Sequence, residues 1–121
     1  MTIKKVLHVD DDERTLRVVA RFLEGAGFEV VSTTNPFIAM IIKNERPDII
    51  VMDVDMPLLP GDRIVSIIRG NNLSTLPVVY FSGRPARELA ALAAKTQPAA
   101  YTQKEGGLPA LVEKIRLFSS A

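Results

Sequence analysis

Five side chains in this sequence combine the chemical types and the spacing that a binding or catalytic site needs. They are two adjacent carboxylates, a third carboxylate, a hydroxyl and an amine: Asp10, Asp11, Asp53, Ser82 and Lys104. Each lies at the end of a short, largely apolar run, which is typical of a strand in a parallel sheet. Because the carboxyl ends of parallel strands lie along one edge, we expect these side chains to converge there.

Converging carboxylates repel one another and raise one another's pKa unless a cation compensates them. Magnesium suits such a site because it prefers oxygen ligands and needs only one or two carboxylates beside the phosphate oxygens of a substrate. With the ammonium of Lys104 and the hydroxyl of Ser82, the site could hold a phosphoryl group while Asp53 attacks it in line. The predicted cofactor is Mg²⁺, and the predicted product is an acyl phosphate on Asp53.

Segments with the character of strands alternate five times with segments of helical periodicity. We expect strands at 6–9, 28–33, 49–52, 78–81 and 99–102. We expect helices from 13 to a stop at 25, at 37–44, 62–69 and 85–96, and from 108 onward, with a polar loop at 71–77. This alternation predicts an α/β fold with a doubly wound, five-stranded parallel sheet.

Local signals predict where some helices begin and which faces they bury. Asp12 has the side chain of an N-cap for the first helix. Asn35, which precedes a proline, predicts the start of the second helix. In the third helix we expect Ile64, Ile67 and Ile68 to point inward.

Two helices carry apolar side chains beyond their expected inner faces. The second helix is apolar nearly all round through residues such as Phe37 and Met40, so part of it is either a partner surface or covered by neighbouring elements. On the first helix, Val18 and Phe22 flank the inner stripe. They are interpreted either as ordinary edge packing or as a docking surface for a partner.

Length and composition exclude several classes of protein. The 121 residues are expected to form one domain, 1–121, without an output domain. Fifteen basic and 14 acidic residues give a net charge of +1, which predicts no direct binding to nucleic acid or membranes. The absence of cysteine excludes disulfides and thiolate metal sites, and the one histidine, His8, is interpreted as a hydrogen-bonded core residue. Without a signal peptide or a membrane-spanning run, a cytoplasmic location is predicted.

Four short motifs occur in the order and with the separations of a known family. They are the segments 6–11, 53–57 with Gly61, 81–83 and 101–104. Together they resemble the receiver domain of two-component response regulators, and the likeness covers the whole chain. The resemblance implies a flavodoxin-like strand order of 2-1-3-4-5 and a phosphoryl donor that is a histidine kinase or a histidine phosphotransfer protein. With no output domain expected, the signal would pass to a separate downstream protein or to self-association.

The resemblance also implies a metal site and a phosphoacceptor. By position, Asp10 and Asp11 resemble the acidic pair that binds the metal, with Asp11 preferred as the direct ligand. Asp53 resembles the phosphoacceptor, which also binds the metal. The backbone carbonyl of Asp55 resembles the remaining protein ligand.

The same resemblance implies a conformational switch. Ser82 and Tyr101 resemble the switch pair, in which the hydroxyl follows the phosphoryl group and the aromatic ring turns inward behind it. Lys104 resembles the lysine that binds the phosphate. The surface formed by the fourth helix, the fifth strand and the fifth helix is the implied reader surface.

Two features distinguish this chain within the resemblance. Glu105 stands where the family usually has proline, which predicts a trans peptide bond after Lys104 and an acid that could compete with phosphate for the lysine. Asp55 and Arg84 occupy positions that vary in the family and tune the loss of phosphate. We expect them to pair across the mouth of the site and to hinder the attacking water, although an exposed pair is often worth under about 1 kcal/mol.

Three other functions fit parts of the sequence. A haloacid dehalogenase-like phosphatase also uses an aspartate nucleophile, but that family needs acids near the end of the chain, where this sequence has Lys104 and Glu105. A flavodoxin binds phosphate through a hydroxyl- and glycine-rich first loop, whereas the first loop here is acidic. The main alternative is an unphosphorylated receiver-like adaptor that acts through protein contacts alone.

Overall fold

A computed structural model of the chain describes residues 2–70 and 76–119, which form a sheet with helices on both faces. The strands are β1 (Lys5–Val9), β2 (Glu29–Thr33), β3 (Ile49–Met52), β4 (Val78–Ser82) and β5 (Ala99–Gln103). The helices are α1 (Glu13–Gly25), α2 (Ala39–Glu45), α3 (Gly61–Gly70), α4 (Ala86–Lys95) and α5 (Gly107–Arg116). A 3₁₀ turn, Lys104–Gly106, joins β5 to α5.

The five strands pair in parallel in the order β2-β1-β3-β4-β5. This order confirms the prediction of a doubly wound α/β fold. From β1 the chain moves outward to β2 and then returns to pair β3 on the other side of β1. The connections after β1 and β3 therefore run in opposite directions, which opens a crevice at the carboxyl edge of the sheet.

Alternating side chains of the strands divide the core into two layers. Leu7 and Ile50 belong to the layer that α2, α3 and α4 cover. Val6 and Val51 belong to the layer that α1 and α5 cover. All four of these residues are fully buried, so the central strands are held by apolar packing on both faces.

The predicted start of α1 is confirmed, whereas that of α2 is wrong. The side chain of Asp12 accepts a hydrogen bond from the backbone N–H of Arg14 at 2.9 Å and caps α1. Asn35 accepts in the same way from Phe37, but α2 begins only at Ala39. The Asn35 side chain closes a local turn, which is the other structure that this residue type favours.

The predicted inner face of α3 is wrong at one position. Ile64 and Ile68 are buried as expected, but Ile67 is 50% exposed and Val65 is buried instead. At 100° per residue, positions 64, 65 and 68 share one face of a helix, while position 67 lies at its margin. Of the polar loop predicted at 71–77, residues 71–75 lie outside the described part of the chain.

The two predicted apolar surfaces remain exposed in part. Phe37 and Met40 are 70% and 63% exposed, so neighbouring elements do not cover this side of the α2 region. Val18 and Phe22 are exposed on α1. Within residues 2–70 and 76–119, no helix has both the length and the apolar character that crossing a bilayer requires.

Candidate functional site

The structure brings the predicted site residues to the carboxyl edge of the sheet. Asp10 follows β1, Asp53 follows β3, Ser82 ends β4 and Lys104 follows β5. Asp10, Asp53 and Ser82 are buried, while the side chain of Lys104 is 33% exposed. Asp11 is exposed beside them.

The Lys104 ammonium lies between two of the carboxylates. Its Nζ is 3.2 Å from Asp10 Oδ2 and 3.8 Å from Asp53 Oδ1. Asp10, Asp11 and Asp53 each offer a carboxylate oxygen, and these three oxygens lie within 4.8 Å of one another. Three carboxylates and one ammonium leave two negative charges, which a divalent cation would balance. The donor set is all oxygen and therefore fits Mg²⁺.

Backbone N–H groups orient the two buried carboxylates. Asp10 Oδ1 accepts from the N–H of Asp12 at 2.9 Å, and Asp53 Oδ1 accepts from the N–H of Asp55 at 3.3 Å. The backbone N–H of Asp53 itself donates to Val9 O at 3.0 Å, which continues the pairing of β3 with β1. Both carboxylates are therefore fixed by the strand ends that carry them.

Gly61 allows α3 to begin directly against the phosphoacceptor candidate. A Cβ atom on Gly61 would clash with the backbone carbonyl of Asp53 and touch the side chain of Met52. The N–H of Gly61 also donates to Val54 O at 3.0 Å. The absence of a side chain at this position lets the loop after β3 fold tightly over the sheet edge.

The environment of Asp53 disfavours its charge. Burial, followed by the nearby Asp10 and Asp55 carboxylates, raises the pKa of Asp53 from 3.8 to about 6, although Lys104 acts in the opposite direction. A cation bound between the acids would favour the ionised form again. The site is therefore built to attract positive charge next to Asp53.

His8 lies in the core as predicted, but the hydrogen bond predicted for its side chain is not found. Both ring nitrogens are buried and have no hydrogen-bond partner among the described residues. Burial lowers the pKa of His8 to about 4, so the ring is neutral at pH 7. His8 lacks a partner because it lies in the central strand β1, between β2 and β3, where apolar side chains such as Val6 form the adjacent core.

Asp55 and Arg84 pair at the mouth of the site, as the sequence predicted. Arg84 Nε and Nη2 are 2.9 Å and 2.8 Å from Asp55 Oδ1. The two side chains are 43% and 53% exposed, for Arg84 and Asp55 respectively. Ser82 Oγ donates to Asp55 Oδ2 at 3.4 Å, which is long for a hydroxyl donor, so the hydroxyl is held only weakly.

The peptide bond between Lys104 and Glu105 is trans, as the sequence predicted. Gln97–Pro98 is the only cis peptide bond in the described ranges 2–70 and 76–119, so the Lys104–Glu105 bond is trans. Glu105 is exposed, and the Lys104 ammonium pairs with Asp10 and Asp53 instead. Among the described contacts, Glu105 therefore does not compete for this lysine.

Tyr101 lies on β5, where it pairs with Tyr80 of β4. Its ring is half-buried, packs against the core layer under α2, α3 and α4, and has the Nζ of Lys114 5.9 Å from its centroid. The structure thus places Tyr101 on the strand that leads into Lys104. Its role in a switch stays a prediction.

Sequence reasoning missed one polar residue at this edge. Gln103, the last residue of β5, donates from Nε2 to the backbone carbonyl of Arg84 at 3.0 Å. The sequence around a glutamine at a strand end does not predict such a contact, because the acceptor lies in another segment, the loop between β4 and α4. Only the pairing of Ser82 with Gln103 across β4 and β5 brings the two segments together.

Comparison with known proteins points to one family. The family model of the response regulator receiver domain matches residues 6–116. The chain is 38% identical over 85 residues to the transcriptional regulatory protein PrrA of Mycobacterium tuberculosis, covering 69% of this chain and 36% of PrrA. It is 25% identical to the polar-differentiation response regulator DivK of Brucella anthropi, covering 95% of each chain. The chain thus spans about a third of PrrA but nearly all of DivK.

Solved structures show the same fold. The chemotaxis protein CheY4 of Vibrio cholerae superposes with a TM-score of 0.85 at 23% identity, covering 96% of this chain and 98% of CheY4. The receiver domain of the Francisella response regulator 1452 superposes with a TM-score of 0.82 at 26% identity, covering 94% of each chain. The strand order 2-1-3-4-5 found here is the order that the resemblance implied.

Proposed function

This chain belongs to the response regulator receiver domain family, and from that membership we propose that Asp53 accepts a phosphoryl group from a histidine kinase or a histidine phosphotransfer protein. The observation that carries the proposal is the position of the Lys104 ammonium, 3.2 Å from Asp10 and 3.8 Å from Asp53. Lys104, which follows β5, lies beside buried carboxylates that follow β1 and β3, and an ammonium in this position is suited to binding a phosphoryl group on Asp53.

We assign the binding of Mg²⁺ to the acidic cluster. Asp10, Asp11 and Asp53 would hold the ion through their carboxylates, and the backbone carbonyl of Asp55 is proposed as the remaining protein ligand. When bound, the ion supplies positive charge to the oxygens of the transferring group. The proposal is supported by the three carboxylate oxygens within 4.8 Å of one another.

In the proposed reaction, an oxygen of Asp53 attacks the phosphorus of the phosphohistidine on the donor. The P–N bond breaks, and its electron pair stays on the histidine nitrogen. Lys104 binds an oxygen of the transferred group, and the weakly held hydroxyl of Ser82 is free to turn toward another. Attack by water on phosphorus later releases inorganic phosphate and restores the Asp53 carboxylate. In this proposal the chain assists its own phosphorylation and dephosphorylation but has no separate enzymatic activity.

The proposed output is a change of shape that a partner recognises. Ser82 follows the phosphoryl group, Tyr101 turns inward behind it, and the surface of α4, β5 and α5 changes its affinity for a partner. That partner is proposed to be a separate downstream protein or a second copy of the chain. We further propose that residues 1–121 act as a single receiver domain in the cytoplasm, without direct contact to nucleic acid or membrane.

The three alternative functions are not favoured. Family membership excludes the dehalogenase-like phosphatase and the flavodoxin as descriptions of this chain. An unphosphorylated adaptor would have no use for three converging carboxylates, which disfavour one another without a cation. The pairing of Lys104 with two of these acids also favours a phosphoacceptor.

The test is to incubate the protein with Mg²⁺ and a small phosphodonor and to follow its mass. We expect addition of one phosphoryl group to the wild type and to the control Asp62→Asn, which makes the same change at the start of α3. Asp53→Asn should show no addition. Equal phosphorylation of Asp53→Asn, or none of the wild type with any donor, would refute the proposal.

A further inference from the structure

Gln103 connects the end of β5 to the loop between β4 and α4. Its Nε2 donates to the backbone carbonyl of Arg84 at 3.0 Å. The first backbone hydrogen bonds of α4 run from Glu88 and Leu89 to the carbonyl of Pro85, so the helix itself does not use the Arg84 carbonyl in these contacts. Gln103 therefore fixes a backbone group that lies just outside α4.

The loop has few other restraints at this point. Arg84 follows Gly83, whose backbone is intrinsically free, and precedes Pro85, which has no N–H to donate. The N–H of Arg84 reaches Ser82 Oγ at 3.3 Å, a long contact. The hydrogen bond from Gln103 is the shorter of these two restraints on the Arg84 backbone.

The side chain of Arg84 depends on that backbone position. Both of its contacts go to one oxygen, Asp55 Oδ1, and both partners are about half exposed. An exposed pair gains little because ordering two long side chains offsets most of the attraction. A fixed backbone removes part of that entropic loss and lets the guanidinium stay over Asp55.

We infer that Gln103 is a positioning residue that holds Arg84 on Asp55 and thereby lengthens the life of the phosphoryl group on Asp53. The chain of contacts runs from Gln103 through Arg84 to Asp55, whose backbone N–H donates to Asp53 Oδ1 at 3.3 Å. With the pair closed, the guanidinium shields the mouth of the site from the attacking water. This inference rests on the proposed phosphoacceptor function.

The first test compares phosphoryl lifetimes after phosphorylation by a small phosphodonor with Mg²⁺. Gln103→Met keeps the length of the side chain but removes the donor, and we expect it to shorten the lifetime about two- to threefold. The effect should not exceed that of Arg84→Ala, because an exposed pair worth under about 1 kcal/mol corresponds to at most about fivefold. A lifetime equal to that of the wild type would overturn the inference.

Gln97→Met is the matched control. Gln97 also donates from Nε2 to a backbone carbonyl, Ala93 O at 3.0 Å, but it precedes Pro98 at the opposite edge of the sheet. We expect its phosphoryl lifetime to equal that of the wild type. Equal shortening in both variants would indicate general loosening of the fold and would overturn the assigned role.

A double-mutant cycle separates positioning from a general structural role. Because Gln103 acts through Arg84, Gln103→Met should change nothing further in an Arg84→Ala background. A full additional effect in that background would contradict the inference. Gln103→Ala serves as a second donor-free variant, with folding of each variant checked by its amide NMR spectrum.

A readout without phosphate distinguishes this inference from the proposed function. In ¹⁵N-labelled protein, the Arg84 Nε–H signal should exchange slowly in the wild type and faster in Gln103→Met. An unchanged signal would overturn the positioning role even if phosphorylation occurs. A wild type that accepts no phosphate would overturn the proposed function and the lifetime effect with it, whereas this signal would still decide whether Gln103 positions Arg84.

Discussion

The two edges of the sheet place their charged side chains in different surroundings. At the carboxyl edge, three carboxylates face one ammonium, that of Lys104. At the amino edge, Lys5 pairs with Glu29 and Glu45 at 3.3 Å and 3.0 Å, and the Asp48 carboxylate accepts two backbone N–H groups at 2.9 Å. The carboxylates at the amino edge are exposed or accept backbone N–H groups, whereas Asp10 and Asp53 at the carboxyl edge are buried beside the Lys104 ammonium.

Arg69 is the main polar link at the amino edge. From the end of α3, its guanidinium donates to the backbone carbonyls of Leu76, Thr96 and Pro98 at 2.6–3.2 Å. One side chain thus joins α3 to the segments that enter β4 and β5. These carbonyls lie at helix and strand ends, where many backbone groups lack regular partners. The Pro98 carbonyl also accepts from the N–H of Val78 at 3.1 Å.

Bonds at the amino edge let this fold tolerate an unfavourable site at the carboxyl edge. Asp53 has a pKa raised to about 6, chiefly by burial, so its ionised form opposes folding at pH 7. The hydrogen bonds at the amino edge stabilise the same strands from their other ends. The amino edge therefore contributes stability, and the carboxyl edge carries the candidate site. This agrees with the general observation that functional sites often reduce the stability of a protein.

Removal of the ammonium that lies between Asp10 and Asp53 should have the greatest consequence. Lys104→Met should slow phosphorylation by a small phosphodonor about 100- to 1000-fold, as expected when a group that stabilises developing charge is removed. It should also tighten Mg²⁺ binding, because the ammonium no longer opposes the cation. Mass spectrometry and titration calorimetry measure the two effects.

The control for that variant is Lys95→Met, which removes an exposed lysine from the last turn of α4. It should leave both the rate and the affinity unchanged. Weaker Mg²⁺ binding in Lys104→Met would show that the lysine organises the acids rather than competing with the ion.

At the amino edge, Arg69→Met should destabilise the protein by about 2–3 kcal/mol. The substitution leaves three backbone carbonyls without their charged donor, and hydrogen bonds to charged groups are among the stronger ones. Urea denaturation measures the change in the free energy of unfolding. The exposed Arg63 of the same helix is the control, and Arg63→Met should have a change within about 0.5 kcal/mol.

One substitution made at both edges should change stability in opposite directions. In buffer without Mg²⁺ at pH 7, Asp53→Asn should stabilise the protein by about 2–3 kcal/mol, because it removes a charge that burial disfavours. Asp48→Asn should destabilise it by about 1 kcal/mol, because it weakens the acceptor of two backbone N–H groups. Equal signs for both variants in urea denaturation would contradict the comparison.

The sign of the Asp53 effect predicts its pH dependence. A carboxyl group whose pKa is raised on folding favours the folded state below its unfolded pKa, and this contribution is lost as the pH rises through the folded pKa. For Asp53 that range runs from 3.8 to about 6. The stability advantage of Asp53→Asn should therefore be largest above about pH 6 and vanish near pH 4, as measured by urea denaturation across that range.

The smallest expected effect concerns a buried hydroxyl that supports the amino edge. Tyr80 lies 2.7 Å from Thr96 Oγ1, which donates to Leu92 O at 2.8 Å, so the tyrosine is the donor between the two hydroxyls. Tyr80→Phe should lower the free energy of unfolding by about 1 kcal/mol. The phosphoryl lifetime should not change, and a shortened lifetime would show that the two edges are coupled.

Much of the fold could be predicted from local patterns. The unbroken apolar run 49–52 gave the bounds of β3 correctly, because a strand buried on both faces needs apolar residues at every position. Asp12 marked the start of α1 through its cap. The start of α2 was wrong because Asn35 favours a turn as readily as a helix.

The convergence of the site was also predictable, whereas its contacts were not. Parallel strands bring their carboxyl ends to one edge, so Asp10, Asp53 and Lys104 had to lie near one another. That Gln103 reaches the Arg84 carbonyl, and that His8 lacks a partner, depends on side chains that other elements place around them. No local sequence pattern encodes those neighbours.

Local sequence patterns specify the order of strands and helices and the acids, hydroxyl and lysine at the strand ends, since periodicity and chain direction act locally. The position of the Lys104 ammonium between Asp10 and Asp53 depends instead on tertiary packing. The exposure of Ile67 and the hydrogen bond from Gln103 to the Arg84 carbonyl also depend on tertiary packing. Distances and burial are set by the register of paired strands and by the packing of helices against them, which join residues far apart in the chain.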